Sequence, residues 1–202
     1  MKIILLLIMF VMEPYKIIQF IIFPLTNPAY DGGYSAAAVY VDGGKDILIR
    51  KNELYENDIG IEATSEHAGK YAEDIQMTEN RISNNNYTGI AIGGYDENRG
   101  GTHNTFYQND TKDLDGGQLL LQYNVHDNEI KENRFTVSPS HIFIANFFQE
   151  NRDNYLGENI YYNSEQDKEG IWIWKEWEYN SFSAFKEASE SNETSQYMDE
   201  EK

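Results

Sequence analysis

The side chains able to carry chemistry in this 202-residue chain gather in three short stretches. The first, Glu62 to Asp74, offers Glu62, Glu66, His67 and Lys70. The second, Gly93 to His103 (GGYDENRGGTH), offers Tyr95, Asp96, Glu97, Arg99 and His103. The third follows the apolar run QLLLQ and offers Gln122, Tyr123, Asn124 and His126. Carboxylates beside basic and phenolic groups suit proton transfer at a sugar. Elimination from a polyuronide needs a neutralised carboxylate, a base for the proton beside it and a donor for the leaving oxygen. Glycoside hydrolysis needs two carboxyl groups, here Glu62 or Glu66 opposite Asp96. Gln122, Tyr123 and His126 would contact the substrate. A zinc site from His67, His103 and His126 has no short-range ligand spacing to support it. The plain alternative is that these are solvated loops, with Gly93, Gly94, Gly100 and Gly101 shaping turns and Glu66 and His67 pinning their own loop.

Such groups act together only if the fold stacks them, and the elements between them predict that it does. An Asn-x-apolar unit recurs at intervals of about two dozen residues: Asn52-Glu53-Leu54, Asn80-Arg81-Ile82, Asn104-Thr105-Phe106, Asn133-Arg134-Phe135 and Asn159-Ile160-Tyr161. Short apolar strands precede several copies, as Ile47-Leu48-Ile49 and Ile75-Gln76-Met77. Others close the unit, as Gly60-Ile61-Glu62, Gly89 to Ile92, Gln118 to Gln122 and Ile142-Phe143-Ile144. Runs this short, separated by Asn, Asp and Gly, read as strands and turns. Units of this length predict an all-β solenoid, a right-handed parallel β-helix with few rungs, in which equivalent strands stack at ~4.8 Å. Ile61 should then lie over Ile90. The repeated Asn is expected to take the left-handed corner conformation and to hydrogen-bond along a ladder of its equivalents. The unit around His103-Asn104 leaves little room for a first strand.

Four regions follow. Residues 1–30 hold two apolar runs, MKIILLLIMFV and IIQFIIFPL, broken by Glu13, Pro14 and Lys16; they suit either a secretory signal or the place of missing rungs. Neither run reaches the ~20 apolar residues of a spanning helix, so no stable membrane span is expected. Residues 31–165 form the β-helix and 166–190 a C-terminal cap. In the cap, Trp172 and Trp174 share one strand face and FSAFKEAS (Phe182 to Ser189) forms a short helix. Residues 191–202 read as an acidic, frayed tail. The net charge of −18, about half of it beyond Glu150, excludes nucleic acid as the main partner. With no Cys there is no disulfide framework, thiolate metal site or Cys nucleophile.

The runs AAAVYVDGGKDILIRKNELYENDIGIEATSEHAGK and TGIAIGGYDENRGGTHNTFYQND resemble secreted bacterial right-handed β-helix proteins of the pectate-lyase-like superfamily. The run ENIYYNSEQDKEGIWIWKEWEYNSFSAFKEAS is similar to the segment that ends their solenoids. The resemblance covers about Asp31 to Ser191, fewer rungs than such proteins usually have. It implies an extracellular, monomeric carbohydrate-active protein, first a polysaccharide lyase on an acidic glycan and next a glycoside hydrolase. Lys70 or Arg99 would be the base and His67 or Tyr95 the proton donor. Glu62, Glu66 and Asp96 would be oxygen ligands for Ca²⁺ offsetting the uronate charge. A non-catalytic glycan-binding module and an inactive fragment are the rival expectations.

Overall fold

The computed structural model describes residues 16–18, 21–22, 35–96, 98–112, 117–137, 141–164, 170–191 and 193–199. Short strands wind in successive turns. The first holds β1 (Lys16–Ile18), β2 (Ile21–Ile22) and β3 (Ala37–Asp42). Next come β4 (Lys45–Arg50), β5 (Glu53–Tyr55) and β6 (Ile59–Ser65), then β7 (Tyr71–Thr78), β8 (Arg81–Ser83) and β9 (Thr88–Gly94). The following turn holds β10 (Gly100–Thr102), β11 (Thr105–Tyr107), β12 (Asp110–Lys112) and β13 (Leu119–Leu121). After it come β14 (Val125–His126), β15 (Glu129–Lys131), β16 (Arg134–Val137) and β17 (Ile142–Asn146), then β18 (Tyr155–Gly157), β19 (Ile160–Asn163) and β20 (Ile171–Trp174).

Equivalent strands pair in parallel into three sheets. The first runs β1-β4-β7-β11-β15-β18 and the second β2-β5-β8-β12-β16-β19. The third, which carries the candidate site, runs β3-β6-β9-β13-β17-β20. Side chains alternate across a strand, so each sheet sends columns into the core. One column is Val39, Ile61, Ile90, Leu119, Ile144 and Trp172, with Ile61 directly over Ile90 as expected. Another runs Leu54, Ile82, Thr111, Phe135 and Tyr161. The architecture is a parallel β-helix.

Asn ladders fix the corners, in a different register from the expected one. The N–H of Asn52 donates to Oδ1 of Asn80 (3.0 Å), Asn80 to Asn109 (3.2 Å), Asn109 to Asn133 (3.0 Å) and Asn133 to Asn159 (3.0 Å). Asn109, not Asn104, occupies this column. Its sequence signal is hidden because Thr111, not a large apolar residue, follows at the inward position. Asn104 belongs to a second ladder, in which Ile75 N–H donates to Asn104 Oδ1 (2.8 Å) and Asn104 N–H to Asn128 Oδ1 (2.9 Å). That ladder exists because the long strand β7 is matched by two short ones, with β10 on Tyr71–Glu73 and β11 on Gln76–Thr78. The apparently missing first strand is therefore present, as β10.

The left-handed corner residue is also not the Asn. It is the residue before it: Lys51, Glu79, Gln108, Glu132 and Glu158 have φ between 55° and 57°. The preceding residue makes the turn, which leaves the Asn side chain aimed inward. There its Nδ2 donates to a carbonyl of the turn before, as from Asn80 to Ile49 O (3.0 Å) and from Asn109 to Met77 O (2.9 Å).

The C-terminal end is capped. β21 (Trp177–Tyr179) folds back antiparallel on β20. Helix α1 (Phe182–Ser189) starts where Ser181 Oγ accepts from Ala184 N–H (3.4 Å) and ends at Glu190, φ 54°. Phe185 and Trp172 are fully buried and stack at 5.5 Å. The stretch expected to fray instead returns to the solenoid, since β22 (Gln196–Met198) pairs with β19 and Ser195 Oγ accepts from Asn159 N–H (3.1 Å). At the other end β1 and β2 pair with β4 and β5. The rest of the apolar run expected to act as a signal lies outside the described residues.

Candidate functional site

Every strand of the third sheet ends on the same edge, so the loops that follow stack there. β3 runs into Asp42 and Gly43, β6 into Glu66 and His67, β9 into Tyr95 and Asp96, β13 into Gln122 and Tyr123, and β17 into Phe147 and Phe148. The three sequence stretches are thus assembled by strand stacking, with two further loops beside them.

The first loop is tied to its predecessor by carboxylates. Asp42 Oδ1 accepts from Glu66 N–H (2.8 Å), and Asp42 Oδ2 lies 3.2 Å from His67 Nε2. Tyr40 Oη donates to Glu66 Oε1 (2.7 Å). In register between Tyr40 on β3 and Ala91 on β9 stands Glu62. It is 7% exposed, and its carboxyl makes no hydrogen bond among the described residues. Burial first, then the charges of Glu66 and Asp42, push its pKa up to about 7. Burial and the bond to Glu66 likewise hold the Tyr40 hydroxyl protonated, far above the ordinary phenol range.

The second loop is braced on itself. Arg99 binds Asp96 through Nη1, Asn98 N–H donates to Asp96 Oδ1 (2.9 Å), and Arg99 N–H donates to Asp96 O (3.1 Å). Gly69 N–H donates to Asn98 O (2.8 Å), which joins the first loop to the second. Lys70 is exposed, with its stem beside Gly43 and Ser65. The glycines have a steric reason. A Cβ on Gly94 would lie 2.4 Å from the Arg99 backbone, and Gly93 has φ +132°. Gly94 N–H donates to Tyr123 O (3.0 Å), placing Tyr95 and Tyr123 on neighbouring turns. Between them is an open depression lined by Tyr95, Asp96, Asn98, Tyr123 and Glu150.

The expected residues divide into separate groups. Glu62, Glu66 and His67 come together, with Asp42 and Tyr40 as members that the sequence reading missed. Their signal was the register itself: in AAAVYVDGG, Tyr40 pairs with Glu62 and Asp42 with Thr64. Asp96 and Arg99 engage each other, so Asp96 is not among the charges felt by Glu62. His126 lies at another corner. Its Nδ1 is 2.7 Å from Asp127 Oδ2 and 3.1 Å from Thr102 Oγ1, and Thr102 Oγ1 also meets His103 Nδ1 at 3.0 Å. His67 is held by Asp42 instead, so the zinc trio does not form. Among the described residues no three His, Asp or Glu side chains stand placed to hold a metal. No helix among them is long and apolar enough to cross a membrane.

The chain is similar to an uncharacterized protein, YwoF, of Bacillus subtilis (strain 168), 54% identical over 172 residues. The match takes in 82% of this chain and 36% of that protein, so the chain spans little more than a third of the relative's length. No solved structure matches. Residues 33–184 match the family model described as a right-handed β-helix region, three-quarters of the chain and the whole run of stacked loops, and the chain belongs to that family.

Proposed function

We propose that this is an extracellular carbohydrate-active β-helix protein that cleaves a glycan by proton transfer at the cluster of Asp42, Glu62 and Glu66. The observation that carries the reading is Glu62: a carboxyl removed from water and without a hydrogen-bond donor among the described residues, whose pKa is pushed up to about 7 by burial first and then by the charges of Glu66 and Asp42. A general acid works best with its pKa near the working pH. Glu62 donates its proton to the glycosidic oxygen, which leaves with the bonding pair. Water adds to the sugar carbon and gives up a proton to Glu66 or Asp42, and Tyr40 and His67 hold those two carboxylates in place.

Elimination from an acidic glycan is the second reading, favoured by the exposed amine of Lys70 beside the linked first and second loops. There Lys70 takes the proton next to the uronate, and Arg99, already held by Asp96, has the lesser role. A uronate would approach Asp42 and Glu66, so this route requires Ca²⁺ to offset the charge.

One assay separates the two readings. The protein is incubated with neutral, amino and acidic glycans, with and without Ca²⁺, while reducing ends and ultraviolet-absorbing unsaturated ends are measured. Reducing ends alone, lost in Glu62→Gln, are the expected result. Unsaturated ends that require Ca²⁺ and Lys70 establish elimination. Neither product from folded protein across the panel overturns catalysis and leaves a binding module.

A further inference from the structure

We propose that the depression between the second and third loops is a stacking subsite for an uncharged pyranose ring. It deepens the reading of glycan cleavage by naming the class of sugar held beside the carboxyl cluster, and it rests on that reading only for which bond is cut.

Two exposed aromatic side chains, Tyr95 and Tyr123, line the depression, and Phe147 follows β17 on the same sheet edge. Tyr95 is 56% exposed, Tyr123 37% and Phe147 44%, half of the six large hydrophobic side chains that stand exposed among the described residues. Surface tyrosines on a polar loop cost little by themselves, but here the Tyr123 ring and the start of the Tyr95 loop are held in place. The Tyr123 ring packs on Phe148 with centroids 3.8 Å apart. Its loop is anchored from behind by Asn151 Nδ2, which donates to Gln122 O (2.8 Å) and to Asn146 Oδ1 (2.8 Å). The next loop is tied down where Gln149 Nε2 donates to Lys175 O (2.7 Å). Gly94 clamps the start of the Tyr95 loop against both Arg99 and Tyr123. Rings held by their neighbours lose little freedom when a ligand arrives, which favours binding.

The lining chemistry selects the ligand. Flat aromatic faces pack against the C–H faces of a pyranose. Around them Asp96, Glu150 and Asn98 present oxygen acceptors to sugar hydroxyls. Arg99, on the same loop as Tyr95, is already bound by Asp96. Two carboxylates, the Asp42–Glu62–Glu66 cluster on the same edge and a net charge of −18 repel a uronate or sulfated ring. Stacked loops lie along the solenoid axis, so a glycan seated here runs across the strands, from the depression toward Glu62.

The test is affinity gel electrophoresis of the wild-type chain in hydroxyethylcellulose, laminarin or polygalacturonate. One of the two neutral glycans should retard it and polygalacturonate should not. Tyr95→Ala and Tyr123→Ala should each weaken retardation about tenfold. Circular dichroism checks the fold, and because Tyr123 packs on Phe148, the more exposed Tyr95→Ala is the decisive variant. The subsite is overturned if polygalacturonate alone retards the chain, if no glycan does, or if folded Tyr95→Ala binds like the wild type. Loss of cleavage in Glu62→Gln with unchanged binding by both tyrosine variants removes the subsite and leaves the cleavage reading. Neutral-glycan binding that depends on the tyrosines, with no cleavage by the wild type, removes the cleavage reading and leaves the subsite.

Discussion

A carboxyl group taken out of water resists ionisation, and Glu62, buried and without a donor among the described residues, is in that position. Its folded pKa of about 7 lies above the ordinary 4.5, so the folded chain holds a proton that the unfolded chain has released. This contribution to stability is therefore fully present below 4.5 and is lost as the pH rises to about 7, by at most about 3 kcal/mol. Urea melts across that window should show wild type falling behind Glu62→Gln, with the gap levelling off above pH 7. Cleavage, if Glu62 is the acid, should decline as the pH rises through about 7. The Asn ladder makes a second prediction. Asn109→Ala strips partners from Asn80 N–H and Met77 O, both buried, and should cost about 1–3 kcal/mol for each group left unpaired. A denaturation midpoint unchanged by this variant would show that the ladder does not hold the turn. The chemical types at the site were legible in the sequence. Which of them share a solvent shell was not, because Tyr40 and Asp42 lie on the preceding turn and look like ordinary strand residues.

Corners are the informative elements. A left-handed residue turns the chain and the Asn after it closes the gap to the next turn, so the pair is the repeating unit. The sequence shows the Asn and hides its partner, which is Lys, Glu or Gln and is chosen for exposure at the corner. That is why Asn104 could be mistaken for Asn109: both follow a left-handed residue, His103 and Gln108, on successive corners of one turn. Loop glycines act at the same scale. Gly94→Ala places a methyl about 2.4 Å from the Arg99 backbone, closer than atoms pack, and must displace the Tyr95 loop. Gly94 ends β9, beyond the last inward apolar residue Ile92, so thermal stability should fall by only a few degrees while glycan retardation drops severalfold. Unaltered retardation would show that the loop position does not matter to the site.

For the whole molecule, ends matter as much as turns, because the last turn of a solenoid otherwise exposes core and strand edges. Trp172 meets Phe143 at 4.8 Å on one side and Phe185 at 5.5 Å on the other, so α1 continues the aromatic column beyond the final strand. Phe185→Ala should cost about 3–5 kcal/mol, read as a lowered melting temperature with dye binding to newly exposed aromatics. A melting temperature within a degree of wild type would remove the capping role. The sequence by itself determined that short apolar strands alternate with Asn-rich corners and that they wind as a β-helix. Those features follow from local alternation and from a period of about two dozen residues, both written along one chain. Only the tertiary structure decided the register, the return of the acidic tail as a strand, and the union of Asp42 and Tyr40 with Glu62, Glu66 and His67. Such contacts cross from one turn to the next, and a shift of a few residues, invisible in the pattern, changes every partner along the edge.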